Sequence, residues 1–402
     1  MSSPVASLKL IAIGFNTRGT GLTRVMHSIM RRLADRHEIH YLGIGYSGEI
    51  VRDRGLTIYP TNPKGGDVFA AFQAARLIEE IRPDLVFILH DIWMFEYYLR
   101  ILGPFRDPLR IVGYIPIDGK ITNEQVAVPL RSADRVVVYT DFARAQFEQA
   151  FERLSGAFPA VDVVPHGIDR HRFFPLPGGR LIAKQQVFPD LPAAEESFVV
   201  LNASRPDCRK RIDLTLAGFA QFAANKPANV KLCLHHAILP ERETEQIHSW
   251  LREFGVEDRV YINPQGGGVR EDRELNLLYN ACDVGINTSM GEGWGLVSAE
   301  HGAAGAAQIV PDHTACTELW AGRGELIPIS KSYIPEFSPL EMGEVSAESV
   351  AQALERLYRD PVRRAALGQA AFRAAANPAY SWDAIALQFE QLFDAVVSNT
   401  TA

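Results

Sequence analysis

Asp283-Val284-Gly285-Ile286-Asn287, followed after Thr288-Ser289-Met290 by Gly291-Glu292-Gly293-Trp294-Gly295-Leu296-Val297-Ser298-Ala299-Glu300, reads as a short apolar strand, a glycine turn and the opening of an Ala-rich helix. A strand without polar alternation suits a parallel sheet covered on both faces. Working outward, the same unit recurs. Upstream, apolar strands at 198–201, 230–234 and 259–262 alternate with helical periodicity over 212–222, 241–254 and 273–281, and a further strand follows at 308–310. Alternation of this kind predicts an α/β fold with a parallel sheet. The amino-terminal half repeats it, with strands at 8–15, 39–44, 85–89, 110–117 and 135–140 and helices at 22–33, 68–81 and 143–151. Between the halves the composition changes: Pro165, Pro175, Pro177, Pro189 and Pro192 surround Gly178-Gly179. We expect domain one over 1–175, a linker over 176–196 and domain two over 197–378. A last helix is read at 381–396, within 379–398, after the Asn377-Pro378 turn signal.

The length of 402 residues fits two cores better than one. No apolar run approaches the ~20 residues of a membrane span. The start, Met1 to Ser7, lacks a basic segment leading into an apolar one, so the expectation is a cytoplasmic protein. Cys208, Cys233, Cys282 and Cys316 are widely spaced beside apolar stretches and read as buried thiols. A net charge of −7 argues against a nucleic-acid partner.

In open parallel sheets ligands bind beyond the carboxyl ends of the strands. Two clusters lie there. In the quoted stretch, Gly293 and Gly295 allow close backbone approach, Trp294 sits between them, and the amides of Leu296, Val297 and Ser298 are unpaired donors suited to a phosphate. Glu292 on the loop and Glu300 one turn into the helix can accept hydroxyl hydrogens. The second cluster is Asn202-Ala203-Ser204-Arg205-Pro206-Asp207-Cys208-Arg209-Lys210-Arg211. A diphosphate leaving group needs its charge met by a metal or by fixed cations. No Asp-x-Asp triplet offers a metal site, so no metal or other cofactor is expected. Arg205 supplies a planar fork and Lys210 a point charge. Arg209 and Arg211 read as a solvated helix start.

These residues resemble the retaining GT-B glycosyltransferases of the family 4 type. The seven residues between Glu292 and Glu300 match that family's E-x7-E signature, and Arg205 and Lys210 match its paired cations. Val164 to Asp169 with Phe174-Pro175 resembles its hinge, and Leu278 to Val284 its Leu-Tyr-x-x-Ala-Asp-Val stretch. The resemblance implies two Rossmann-like doubly wound domains facing a central cleft, with the last helix crossing back to the first. It implies a nucleotide-diphosphate sugar donor, held at the diphosphate by Arg205, Lys210 and the amides near Val297. Glu300 is then expected on the ribose and Glu292 on the sugar. It also implies metal-independent transfer with retention at the anomeric carbon, to a carbohydrate, a lipid-linked acceptor or a small-molecule glycoside. A sugar-nucleotide epimerase and a non-catalytic nucleotide-sugar-binding module are the alternatives.

In the first half, Gly19-Thr20-Gly21-Leu22-Thr23-Arg24 opens the first helix. Arg24 stands where a dinucleotide fingerprint needs a small residue, which disfavours NAD. The resemblance places Gly19 and Gly21 near the donor phosphates and the acceptor. His90-Asp91 and Asp118 follow strands, and Asp118 stands where the family often carries a His; it ranks first and His90 second as the contact to the reacting sugar. His166 replaces the hinge Asn and Arg211 the Gly after the Lys. Arg31, Arg32 and Arg36 form a basic patch, read either as a weak membrane-surface contact or as a solvated helix end.

Overall fold

The computed structural model describes residues 7–61, 65–106, 108–264 and 266–398, so residues 1–6, read above for a leader, lie outside it. The described chain divides into unit 1 (Met1–Gly167, Glu336–Leu340 and Ala379–Ala402) and unit 2 (Ile168–Pro335 and Glu341–Pro378).

Unit 1 is built on β1 (Lys9–Phe15), β2 (Glu38–Ile44), β3 (Val51–Asp53), β4 (Leu56–Pro60), β5 (Leu85–Leu89), β6 (Arg110–Tyr114), β7 (Arg135–Val138) and β8 (Val161–Val163). The order is β3-β4-β2-β1-β5-β6-β7-β8, parallel throughout except for β3 against β4. Chain direction across the sheet reverses between β1 and β5, which makes their carboxyl ends the switch point where such sheets bind ligands. Ile11, Ile13, Val86 and Ile88 are fully buried, as unbroken apolar strands require. The β3–β4 hairpin turns through Arg54 (φ 47°) and Gly55 (φ 83°), two consecutive left-handed residues matched to the twist of paired strands.

The last helix, Trp382–Ser398, belongs to unit 1 and packs on the first, Gly21–Leu33. Its Phe389 and Phe393 lie 5.4 and 5.5 Å, centroid to centroid, from Phe87 of β5. The arginine patch is neutralised within the fold: Arg31 pairs with Asp53 at 2.5 Å, Arg32 with Asp383 at 2.5 Å and Arg36 with Glu390 at 2.8 Å.

Unit 2 carries β9 (Phe198–Asn202), β10 (Val230–Leu234), β11 (Val260–Ile262), β12 (Val284–Ile286), β13 (Ala307–Pro311) and β14 (Glu325–Ile327), all parallel, in the order β11-β10-β9-β12-β13-β14. Its switch point lies between β9 and β12. An antiparallel pair, β15 (Ile329–Tyr333) and β16 (Met342–Val345), and the helices Ala347–Arg359 and Pro361–Ala375 complete the unit.

The proline-rich stretch expected as a linker is built into unit 2. It forms the helix Gly179–Val187, whose buried Lys184 donates to the Ser197 carbonyl and pairs with Asp283, each at 2.8 Å. Cys233, Cys282 and Cys316 are buried as expected, but Cys208 is exposed, because it lies on a surface turn before the helix Ile212–Ala223. Among the described residues no helix is long and apolar enough to cross a membrane.

Candidate functional site

The loops that leave β9 and β12 are neighbours because their strands are. After β9 the chain makes a short 3₁₀ turn, Cys208–Lys210, passes through left-handed Arg211 (φ 47°) and enters the helix Ile212–Ala223. After β12 it runs from Asn287 to Gly295 and enters the helix Leu296–Ala303. The loops are stitched together by backbone and hydroxyls. Met290 N donates to the Arg209 carbonyl at 2.8 Å. The Thr288 hydroxyl lies 3.0 and 2.8 Å from the carbonyls of Lys210 and Arg211. Asn202 at the end of β9 anchors this chain through Thr215, which lies 2.7 Å from Thr288.

At the junction Lys210 Nζ donates to Glu292 Oε1 at 2.5 Å, and Asn287 Nδ2 reaches the same oxygen at 3.1 Å. Arg209 Nη1 lies 3.8 Å from Glu292 Oε2 and donates to the Gly291 carbonyl. Glu292 is only 8% exposed. Burial by itself would raise its pKa, but the charges of Lys210 and Arg209 and the Lys210 hydrogen bond outweigh this and hold it down at about 2. The Lys210 ammonium is lowered by burial and by Arg209, with Glu292 acting against both. Glu292 is therefore an ionised acceptor across the neutral range, and two cations lie beside it. Thr314 braces the acid from behind: its hydroxyl accepts from Glu292 N at 3.3 Å and lies 3.1 Å from the Glu292 carbonyl.

Eight residues on, Glu300 is buried and accepts from the Tyr279 hydroxyl at 3.1 Å. Between the two acids Gly295 caps the helix at φ 88°, while Gly293 stays out of the left-handed region. No side chain caps the helix, so the amides of Leu296, Val297 and Ser298 have neither an intrahelical nor a capping partner. Trp294 is buried beneath the turn.

The structure thus joins Lys210 to Glu292 and sets Glu300, Gly295 and the helix amides on the same loop and helix. It leaves Arg205 on the rim: that side chain is 54% exposed and pairs with Asp207 at 3.5 Å. Arg209, expected in solvent, instead lies in the cluster. Its available signal was adjacency to Lys210, since the 3₁₀ turn Cys208–Lys210 brings both side chains onto Glu292. Asn287 and Tyr279 carried no comparable signal. Arg211, also expected in solvent, is instead mostly covered and bound to Asp213 and to Glu344 of β16.

In unit 1, Gly19 (φ 83°) turns the chain after β1 and Gly21 opens the first helix, which Thr20 caps. Thr23 fastens this loop by donating to the Phe15 carbonyl at 2.9 Å. His90 and Asp118 follow β5 and β6, with His90 buried and Asp118 half-buried.

No family model matches the chain. It is 29% identical over 295 residues to the D-inositol 3-phosphate glycosyltransferase of Kineococcus radiotolerans, a match that covers 71% of this chain and 62% of that protein. The chain spans less than two thirds of the length of the curated relatives it matches. Among solved structures, the sucrose-phosphate synthase of Thermosynechococcus elongatus superposes with a TM-score of 0.76 at 18% identity, over 98% of this chain and 100% of that one. Anabaena HepE in complex with UDP-glucose gives 0.70 at 17% identity, over 96% and 100%. These likenesses fix the fold, and the paired acids eight residues apart accompany it on the β12 loop and helix. The chain has the GT-B fold and is similar in sequence to glycosyltransferases of the family 4 type.

Proposed function

We propose that the chain moves a sugar from a nucleoside-diphosphate sugar to an acceptor hydroxyl, without a metal and with retention at the anomeric carbon. The observation that carries this reading is the buried Arg209–Lys210–Glu292 cluster beside the uncapped start of the helix Leu296–Ala303. Free amides and two cations form an anion site in a setting largely shielded from water, where each interaction with a departing diphosphate counts for more than in solution. Arg205 joins them from the rim, since its single exposed ion pair is cheap to exchange. Glu292, held ionised, accepts a hydroxyl of the donor sugar; its low pKa makes it a poor proton donor and so an unsuitable general acid. Glu300, braced by Tyr279, accepts from the ribose hydroxyls. In unit 1, Gly19 and Gly21 leave backbone open to a phosphate, and Asp118 orients the acceptor. Because HepE was captured with UDP-glucose, that is the first donor to test.

Lys210→Ala and Glu300→Ala are each expected to lower transfer by roughly 10²–10³-fold with circular dichroism unchanged, and a chelator is expected to leave the wild-type rate as it was. Full activity in either folded variant would remove the site.

A further inference from the structure

The carboxyl edge of the unit 1 sheet presents polar side chains from four adjacent strands: His90 and Asp91 after β5, Asp118 after β6, Tyr139 after β7 and His166 after β8. Among them, Nε2 of His90 and the hydroxyl of Tyr139 are buried with no hydrogen-bond partner. Each side chain belongs to a residue only 3% exposed. His90 Nδ1 accepts from the Asp91 backbone N–H at 2.8 Å, so the proton resides on Nε2, which is a donor. Burial lowers the imidazole pKa to about 4 and keeps the ring neutral. Tyr139 is fixed by ring contacts to Tyr114 at 4.5 Å and His166 at 4.0 Å. Burial first, and then the carboxylates of Asp91 and Asp118, raise its phenol far above the usual value, so it too keeps its proton. Tyr114 provides the contrast: equally buried, it donates to the Val164 carbonyl at 2.8 Å.

Buried donors left unpaired are rare and costly, and a ligand can relieve them. The two stand beside two carboxylates. A hydroxyl both donates and accepts, so it can satisfy the orphan donors and the acids together. A phosphate could accept from the donors but would be repelled by Asp91 and Asp118. Two strand spacings separate β5 from β7, about 10 Å, which a mono- or disaccharide can bridge. We propose that His90 and Tyr139 are the acceptor-binding groups of this chain and that the acceptor is an uncharged polyol or sugar. The word acceptor rests on the transferase reading above; the polyol site itself does not.

Tyr139→Phe removes one oxygen and tests both sides of the argument. Without ligand the variant is expected to melt about 2–4 °C higher, the shift for roughly 1 kcal/mol in a unit of this size. Myo-inositol and fructose, with their monophosphates in parallel, are titrated calorimetrically against wild type and variant, with and without uridine diphosphate. Wild-type binding of either neutral compound, weakened about tenfold in Tyr139→Phe, is the expected result. Binding of neither, binding unchanged by the substitution, or binding of the phosphates alone overturns the proposal. Uridine diphosphate affinity is expected to be equal in the two proteins. A wild type that binds no nucleoside diphosphate would count against the donor reading, while the titrations without nucleotide still decide this one.

Discussion

Arg209, Lys210 and Arg211 are consecutive, yet their side chains do different work. Lys210 is paired with a buried acid, Arg209 lies against the other oxygen of that acid, and Arg211 is spent on Asp213 and Glu344. Linear order does not separate them: the 3₁₀ turn brings Arg209 and Lys210 onto one carboxylate, while left-handed Arg211 turns away to Asp213 and Glu344. Arg209→Ala is expected to weaken nucleoside-diphosphate binding at least tenfold, since a charged hydrogen bond contributes about 1.5–3 kcal/mol. Arg211→Ala is expected to bind as wild type but melt at a lower temperature. Calorimetry and thermal melts on the pair check both halves. The residues legible in the sequence, Lys210, Glu292 and Glu300, were those whose spacing is fixed along one segment. Arg209 owes its place to strands β9 and β12 being neighbours, and Tyr279 to its helix Asp272–Ala281 packing on the helix Leu296–Ala303, neither of which linear spacing carries. Arg205 shows the converse, a recognisable position whose side chain rests on the rim with Asp207.

Helices and strands with continuous apolar patterns were readable to within a few residues, as at β5 and in the helix Glu241–Phe254. Two kinds of element were not. The β3–β4 hairpin hides its turn because Arg54 occupies a left-handed position that Asn or Asp more often fills. The helix Pro361–Ala375 is so rich in alanine that its buried face, Gly368, Ala371 and Ala375, barely contrasts with its exposed one; its Gly368 packs on the Gly305 carbonyl. Close packing of elements also sets a prediction. In the helix Ile212–Ala223, a Cβ added at Gly218 would fall 2.2 Å from Val350 Cγ1 and 2.9 Å from the Ala347 carbonyl oxygen. Gly→Ala in a helix ordinarily gains about 1 kcal/mol. Here the clash includes backbone that cannot rotate away, and overpacking costs about 1–3 kcal/mol. Gly218→Ala is therefore expected to be net destabilising in a denaturant titration.

At the scale of the whole molecule, buried imidazoles govern the response to acid. Burial first of all lowers His27, His90 and His235 to about 4, and His166 and His301 to about 3. Each of these folded-state values lies below the 6.5 of an exposed histidine. Between the two the unfolded chain binds more protons, so stability is full above pH 6.5 and falls as the pH drops below it. The slope approaches about 1.4 kcal/mol per pH unit for each histidine. Glu292 contributes in the same direction only between its ordinary 4.5 and about 2. A melting temperature flat from pH 8 to 7 and declining steadily toward pH 5 is expected; a flat profile to pH 5 would show that these rings are hydrated in solution.

Unit 1 draws on three separated segments, the last of them Ala379–Ala402. Phe389 and Phe393, fully buried against Phe87, come from that final piece. A ribosome making this protein releases the first half long before the helix that covers β5 has emerged. Unit 2 reaches its last residue, Pro378, while that face of the earlier-made sheet is still bare, so the half synthesised first is the half finished last.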